Sequence, residues 1–107
     1  MIFQINGIEW TVKYVDYTDS VLMRSDGSIT VGVTDTDSRT VSIATGLIPS
    51  FEKKVLCHEI VHCAMYSYNV DLTLEQEELV AELISTYGEE IVDVANDVFN
   101  RLKKRVA

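Results

Sequence analysis

Basic residues are scarce in this chain. Its 107 residues include nine lysines and arginines against seventeen aspartates and glutamates, which leaves a net charge of −8. Nucleic acids and anionic membrane surfaces both attract clustered cations, so the acidic balance argues against either as a partner. The one basic run, Lys103-Lys104-Arg105, is at the C-terminal end. Cations at that end of a helix complement the helix dipole.

Long apolar runs and an export signal are also missing. No apolar run approaches the roughly 18 residues that a membrane span needs. The stretch Met1–Trp10 has neither the basic segment nor the long apolar segment of a signal peptide. We therefore expect a soluble, cytoplasmic protein with no membrane partner. A chain of this length can build one modest core, so we expect a single domain over residues 1–107.

Proline and glycine are few, with one proline and five glycines, so each is an informative turn signal. Asn6-Gly7 lies between two β-prone runs and predicts a hairpin with strands over 3–5 and 8–15. After a short helical turn near 19–24, a second hairpin is expected, with strands over Ile29–Val33 and Thr40–Thr45 around a polar loop. Gly46 and Pro49 mark the change from strands to helices.

Two helices are predicted after Pro49. The first has Ser50 as its N-cap and runs to about Ser67. Thr73 and Gln76 form a capping-box signature for the second, which is expected to run to about Arg105. Its apolar positions predict one stripe that needs cover, formed by Val80, Leu83, Ile84, Tyr87, Ile91, Val94, Ala95, Val98 and Leu102. The fold class is therefore α+β: a small antiparallel or mixed sheet of hairpins, followed by two helices of which the second is long.

The chain has only two histidines, and both fall in the stretch His58-Glu59-Ile60-Val61-His62. This is the HExxH pattern, which on a helix forms a zinc site with a general base beside it. Four residues advance a helix by about 400°, so the two imidazoles share one face and can reach one cation. Glu59 lies about 100° around the helix from His58. There it can accept a proton from a water molecule that the metal polarises.

A third ligand is needed, because a catalytic zinc ion usually has three protein ligands and one open position. With no further histidine, it must be a carboxylate or a thiolate, and the acid-rich start of the second helix is where we expect it: Glu75, Glu77, Glu78 and Glu82. Glu78 and Glu82 lie one turn apart, so one could bind the metal while the other accepts the outer N–H of a ligand histidine. Four glutamates also lie nearly opposite the apolar stripe, so a solvated acidic face is the alternative interpretation: Glu75, Glu78, Glu82 and Glu89.

The two cysteines, Cys57 and Cys63, bracket the motif. Six residues apart on one helix, they point about 120° away from each other and cannot form an unstrained disulfide. Thiolates are good zinc ligands, but the directions of these two do not match the histidine face. We expect buried free thiols.

The order of these features resembles the gluzincin class of zinc metallopeptidases, in which strands precede an HExxH helix and a second helix gives a glutamate ligand. The chain is similar in particular to the small, nearly stand-alone zinc peptidases that bacteriophages and prophages encode. The matching stretches are Leu56–His62 and Glu78–Gly88. Together with the hairpin before Pro49, the resemblance covers about the last two-thirds of the chain.

The resemblance implies a minimal zincin-like fold with a zinc ion as cofactor. His58 and His62 would be metal ligands, and Glu59 would be the general base. Glu78 would be the third ligand. Glu82, at a position that is often aspartate in relatives, would support a ligand histidine or take the place of Glu78.

The function that follows is zinc-dependent hydrolysis of peptide bonds, with a peptide or protein as the substrate. The resemblance also implies that an edge strand, expected at Thr40–Thr45, binds an extended peptide by β-augmentation. Tyr66, Tyr68 and Tyr87 are candidates to stabilise the oxyanion, although each is more typical of packing.

An alternative of a different class is a catalytically silent zinc-binding interaction module of phage or prophage origin. Glu59 favours the enzyme, because zinc binding alone does not need it. In either case the expected location is the cytosol of a bacterial host.

Overall fold

Four strands and two long helices make up the part of the chain that the computed structural model describes, residues 1–106. The strands are β1 (Ile2–Ile5), β2 (Ile8–Val15), β3 (Gly32–Asp35) and β4 (Thr40–Ala44), with a 3₁₀ turn at Ser20–Leu22 between β2 and β3. The helices are α1 (Pro49–Ser67) and α2 (Leu74–Val106). The predicted α+β class is confirmed, and the sheet is mixed.

The first hairpin forms where Asn6-Gly7 predicts it. Both turn residues have positive φ, 49° at Asn6 and 75° at Gly7, and Ile5 pairs with Ile8 across the turn. A two-residue turn of this kind matches the twist of the strands on either side, and asparagine and glycine tolerate its backbone geometry. Local sequence is therefore sufficient to determine β1 and β2.

The position of β4 differs from the expectation. The strand order is β1-β2-β4-β3, with β4 parallel to β2 and antiparallel to β3. The edge strand expected at Thr40–Thr45 is therefore wrong: β4 is paired on both sides, and β1 and β3 are the edges. The reason is the long connection after Val15, which returns the chain so that β4 pairs alongside β2. Four residues of β4, Val41, Ser42, Ile43 and Ala44, are buried.

The third strand is displaced by a few residues from its predicted position. It was expected over Ile29–Val33 and lies over Gly32–Asp35, because Asp35 pairs with Thr40 at the end of the hairpin. The Asp35 side chain accepts hydrogen bonds from the backbone N–H groups of Asp37 and Ser38, at 3.0 and 3.4 Å. Because of those bonds, β3 ends at Asp35 and the turn begins two residues later than the β-prone residues alone suggest.

The first helix covers one face of the sheet, and the core lies between them. Its buried centre is formed by Trp10, Val41, Ile43, Val55 and Cys63. At the C-terminal end of α1, the indole Nε1 of Trp10 donates a hydrogen bond to Ser67 Oγ at 2.9 Å, and Asn6 Nδ2 donates to the Ser67 carbonyl at 2.9 Å. The first hairpin thereby fixes the end of the helix that carries the HExxH motif.

The start of α1 lies one residue before the predicted cap. Ile48 occupies the N-cap position without a side-chain hydrogen bond, and Pro49 is the first helical residue. Ser50 is therefore inside the helix, and the prediction of a serine N-cap is wrong. Proline suits the first helical position because its ring fixes a helical φ and the missing N–H would have had no partner. The predicted end at Ser67 is confirmed.

The second helix has the predicted capping box. The Thr73 backbone N–H donates to Gln76 Oε1 at 3.0 Å, and the Gln76 N–H donates to Thr73 Oγ1 at 3.2 Å. Gly88 does not interrupt the helix. The helix packs on α1 around Ala81, which is fully buried. Beyond that contact every residue from Glu89 to Arg105 is exposed, so the part of the predicted apolar stripe from Ile91 to Leu102 has no cover within residues 1–106.

The molecule is consequently elongated, with extents of 57, 31 and 28 Å along its principal axes. Neither helix within residues 1–106 combines the length and the apolar character needed to cross a membrane.

Candidate metal centre

Three side chains meet where α1 packs against the start of α2. His58 and His62 lie one turn apart on α1, with ring centroids separated by 5.2 Å. Glu78 is in the second turn of α2 and faces them. One donor atom from each of the three lies within 4.8 Å of the other two. This grouping could hold a metal ion, and it is the set that the HExxH motif and the resemblance predict.

Both histidines direct the same ring nitrogen at Glu78. His58 Nε2 lies 3.1 Å from Glu78 Oε2, and His62 Nε2 lies 2.8 Å from Glu78 Oε1. One carboxylate therefore bridges the two Nε2 atoms. The rings are partly buried, with side chains 21 % and 13 % exposed, while Glu78 is half exposed. The site is thus open on the side of α2.

The opposite ring nitrogens face two other carboxylates. His62 Nδ1 lies 2.6 Å from Glu77 Oε1, and His58 Nδ1 lies 3.7 Å from Glu82 Oε2. A carboxylate at Nδ1 favours the tautomer that carries its proton there, which leaves the Nε2 lone pair free to bind a cation. The contact at His62 is a hydrogen bond, whereas the one at His58 is longer and weaker.

Glu82 itself is engaged elsewhere. Its Oε1 accepts hydrogen bonds from Lys54 Nζ at 3.1 Å and from Thr86 Oγ1 at 3.2 Å. The hydrogen bond from Lys54, followed by that from Thr86, lowers the pKa of the Glu82 carboxyl below its ordinary value. The structure brings Glu78, and not Glu82, to the two Nε2 atoms. Glu82 lies on the outer side of His58, where a supporting role was one of its two expected roles, but its 3.7 Å contact is too long for a hydrogen bond.

The chemistry of the donor set suits a zinc ion. Two histidine nitrogens and one carboxylate oxygen form one of the ligand sets of catalytic zinc sites. With bonds of about 2.0–2.2 Å in tetrahedral geometry, neighbouring ligand atoms lie about 3.3 Å apart. The two Nε2 to carboxylate distances, 3.1 and 2.8 Å, are already close to that separation. All three donor atoms lie within 4.8 Å of one another, and the Glu78 side chain is half exposed.

Glu59 is buried beside this group, with 8 % of its surface exposed. Thr34 Oγ1 lies 3.0 Å from Glu59 Oε1 and 3.2 Å from the Glu59 backbone carbonyl, so the hydroxyl can donate to the carboxylate. Two residues earlier on the same face of β3, Gly32 leaves room for the glutamate. A Cβ on Gly32 would lie 2.7 Å from Val55 Cγ1 and 3.2 Å from Glu59 Cγ. The edge strand β3 therefore determines where the Glu59 side chain lies.

A cleft of about 880 Å³ opens over the site. Its floor contains His58, Glu59 and His62, and the start of α2 forms one wall with Leu74, Glu77, Glu78 and Glu82. The opposite wall consists of β3 and the segment Val21–Ser25. Glu59 and the three donor groups thus share one solvent-accessible space.

The cysteines lie outside this arrangement. Within residues 1–106, the side chains placed to share a cation include neither Cys57 nor Cys63. Cys63 is buried in the core, and burial raises the pKa of its thiol to about 12. Cys57 is half-buried, so the expectation of two buried free thiols is confirmed for Cys63 alone.

The three tyrosines considered for the oxyanion are not in the cleft. Tyr66 packs edge-to-face on Trp10, with ring centroids 5.6 Å apart, and Tyr68 and Tyr87 are exposed. No tyrosine is among the residues, within the described range, that line the space over Glu59. Their interpretation as packing or surface residues is the one that the structure supports.

The sequence named Glu77 only as one of four possible metal ligands, and it indicated no role for Thr34 or Gly32. Glu77 belongs to the acid-rich run at the start of α2, directly before the third candidate ligand. That position is the signal that could have assigned it a supporting contact with a ligand histidine. Thr34 and Gly32 carry no such signal, because their contact with Glu59 depends on how β3 packs against α1.

No protein-family model matches the chain, and the curated proteins contain no significant match to it. The site therefore has to be interpreted from its own geometry and chemistry.

Proposed function

We propose that this protein is a zinc-dependent metallopeptidase. One observation carries the proposal: two imidazole Nε2 atoms and a carboxylate converge on one point, and a buried glutamate lines the same cleft beside them. The two histidines and Glu78 suit a cation, whereas Glu59 is not needed to hold it. Four groups in these positions are typical of a hydrolytic site.

The metal ligands in this proposal are His58, His62 and Glu78. Glu77 and Glu82 hold the two rings through their Nδ1 atoms, the first by a hydrogen bond and the second at a longer distance. Zinc, when bound, supplies Lewis-acid chemistry, because it lowers the pKa of water and polarises the scissile carbonyl group.

Glu59 is the general base and then the general acid. Its carboxylate accepts a proton from the attacking water and later donates it to the departing amine. The Thr34 hydroxyl holds Oε1, so the other carboxylate oxygen remains to face the cleft. Because the residue is buried and held from both β3 and α1, little reorganisation is needed before proton transfer.

The substrate class is an extended peptide or an exposed segment of a protein. β3 is an edge strand and also a wall of the cleft, so its free backbone groups can pair with a peptide that crosses the site. This role belongs to β3 in place of β4. From the resemblance to phage-encoded peptidases, we propose that such a substrate is in the cytosol of a bacterial host.

The test is Glu59→Gln, measured with a library of fluorogenic peptides in the presence of zinc. The amide has the size of the carboxylate but cannot accept the proton, so we expect full zinc occupancy and loss of hydrolysis. Glu75→Gln, on the exposed first turn of α2, is the matched control and should retain activity. Unchanged turnover in Glu59→Gln would reject the mechanism.

The second candidate is a zinc-binding interaction module without catalysis. It is favoured by the origin of the ligands, because two come from α1 and one from α2, so a metal ion would tie the helices together. In that case no peptide is cleaved, while zinc raises the thermal stability of the wild type and of Glu59→Gln equally. Zinc-dependent hydrolysis by the wild type would exclude it.

A further inference from the structure

A continuous apolar surface on α2, from Ile84 to Leu102, has no role in the site described above. It consists of eight side chains, each between 41 % and 58 % exposed, and we call it the α2 stripe: Ile84, Tyr87, Ile91, Val92, Val94, Val98, Phe99 and Leu102. The α1 contact is centred on Ala81. Six of the eight side chains lie on a face about a quarter turn from Ala81, whereas Val92 and Phe99 lie on the same side as Ala81, about three and five turns further along the helix. The stripe therefore runs beyond the folded core with nothing packed on it within residues 1–106.

The spacing of the stripe is that of a helix pair. Ile84, Tyr87, Ile91, Val94 and Val98 follow one another at alternating intervals of three and four residues. Such a pattern places one seam of apolar side chains along the helix and suits packing against a second helix at a small crossing angle. A scattered set of exposed apolar residues would need no partner, but an unbroken seam of this length does.

The charges beside the stripe are separated along the helix. Residues 89–105 carry four acidic side chains, Glu89, Glu90, Asp93 and Asp97, followed by four basic ones, Arg101, Lys103, Lys104 and Arg105. This segment is neutral, although the whole chain has a net charge of −8. Two copies laid side by side in the same direction would bring like charges together. Two copies laid side by side in opposite directions would place acidic side chains beside basic ones at both ends of the pair.

We propose that this face is a dimerisation surface, on which the α2 helices of two copies of this chain pack antiparallel. The eight half-exposed side chains offer on the order of 700 Å² of apolar area per copy, close to the roughly 800 Å² per partner of a standard interface. A second copy is the occupant whose charges complement this segment by construction. The inference stands on the stripe and its charges and does not depend on the metal site.

One alignment of the two antiparallel helices both packs the apolar seams together and places opposite charges side by side. With Val94 of one copy against Val98 of the other, Glu90 of each copy lies beside Lys104 of the second copy. Among the ion pairs found within residues 1–106, Asp97 pairs with Arg101 on the same helix, whereas neither Glu90 nor Lys104 has a partner. The cleft over Glu59 stays accessible, because its α2 wall ends at Glu82.

The first experiment measures the mass of the full chain in solution by sedimentation equilibrium over a broad range of concentration, with zinc present. We expect the average mass to rise toward twice the 12.1 kDa of one chain. Val98→Glu places a charge in the seam and should give a monomer. Asn100→Glu adds the same charge on the opposite face and should leave the dimer intact. Circular dichroism checks that both variants keep their helices.

The second experiment tests the direction of the two helices by charge reversal. Glu90→Lys and Lys104→Glu should each weaken the dimer, because each sets like charges together at both ends. An equal mixture of the two single variants should form dimers again, since every such contact in the mixed pair joins opposite charges. The double variant should also dimerise.

Three outcomes would overturn the proposal. A wild type that stays monomeric at every concentration would mean that the stripe is covered by something other than a second copy. A dimer that survives Val98→Glu would place the interface elsewhere. Mixed single variants that stay monomeric would reject the antiparallel arrangement.

Discussion

Glu77 Oε1 lies 2.6 Å from Nδ1 of His62, on the side of the ring opposite to Glu78. The imidazole is thus held between two neighbouring carboxylates of α2, one at each ring nitrogen. Glu77 fixes the orientation and the tautomer of the ring, and Glu78 contacts the Nε2 atoms of both His62 and His58. This contact joins α1 to α2 at the site, and it gives a structural reason for consecutive glutamates at the start of α2.

Replacing Glu77 should weaken metal binding without removing a ligand. Loss of a carboxylate that orients a ligand histidine typically costs about 10–100-fold in metal affinity. We expect Glu77→Ala to show a loss in that range, measured by competition with a zinc chelator. Glu77→Gln retains an acceptor oxygen and should lose less, and Glu75→Gln should match the wild type. Equal affinity in Glu77→Ala and the wild type would show that the contact has no influence on the metal.

Glu78 and Glu82 should differ sharply in their effect on metal content. Glu78→Ala removes the one carboxylate within residues 1–106 that is near both Nε2 atoms, so the purified variant should contain little zinc by elemental analysis. Glu82→Ala leaves all three donor groups in place and should keep nearly one zinc ion per chain. The reverse result would make Glu82 the ligand and assign the supporting role to Glu78.

Thr34 should act on catalysis through Glu59. Thr34→Val keeps the shape of the side chain but removes the hydroxyl that reaches Glu59 Oε1. A hydrogen bond to a charged group contributes about 1.5–3 kcal/mol, so kcat should fall by roughly 10–100-fold while zinc affinity is unchanged. Thr34→Ser restores the hydroxyl and should recover most of the rate. A loss of zinc in Thr34→Val would instead indicate a general structural role.

Gly32 should be intolerant of any side chain. A methyl group there would approach Val55 Cγ1 to 2.7 Å and Glu59 Cγ to 3.2 Å. Overpacking of this kind costs about 1–3 kcal/mol, so Gly32→Ala should lower the denaturation midpoint in urea. Gly27→Ala would strain a positive φ of 86°, so the better control is Ser25→Ala at an exposed position nearby. A Gly32→Ala variant as stable as the wild type would contradict the close packing of β3 on α1.

The two thiols should react very differently. Burial raises the pKa of Cys63 to about 12, so the group stays a neutral thiol in the folded protein. Because the pKa is raised, the neutral thiol's contribution to the stability of the fold is fully present below the ordinary pKa of 9.0. That contribution is lost as the pH rises toward 12. Mass spectrometry after alkylation at pH 8 should find Cys57 modified first and Cys63 protected until the protein unfolds. Equal labelling rates in the native protein would contradict the burial of Cys63.

Much of the site could be predicted from sequence because it is local. Two histidines four residues apart on a helix must share a face, so His58 and His62 required no tertiary information. The choice between Glu78 and Glu82 did require it, because both lie on the same side of α2 and only the packing against α1 distinguishes them. Thr34 reaches Glu59 across twenty-five positions of sequence, a distance over which periodicity carries no signal.

The errors in the predicted fold also concern contacts between residues that are distant in the sequence. The Asn6-Gly7 hairpin and the Thr73 capping box depend on neighbouring residues, and both are confirmed. The position of β4 depends on a parallel pairing with β2 across a long connection, and a hairpin-by-hairpin interpretation placed it at the edge. The apolar stripe of α2 predicted a covered helix, but its pattern could not indicate whether the cover comes from the same chain.

The most direct test of the central claim is a crystal structure of the zinc-loaded protein, with diffraction data collected on both sides of the zinc absorption edge. We predict one strong anomalous peak per chain, within bonding distance of His58 Nε2, His62 Nε2 and a Glu78 oxygen, and facing Glu59 across the cleft. A peak bound to Glu82 or the cysteines in place of Glu78, or the absence of any peak between the histidines, would contradict it.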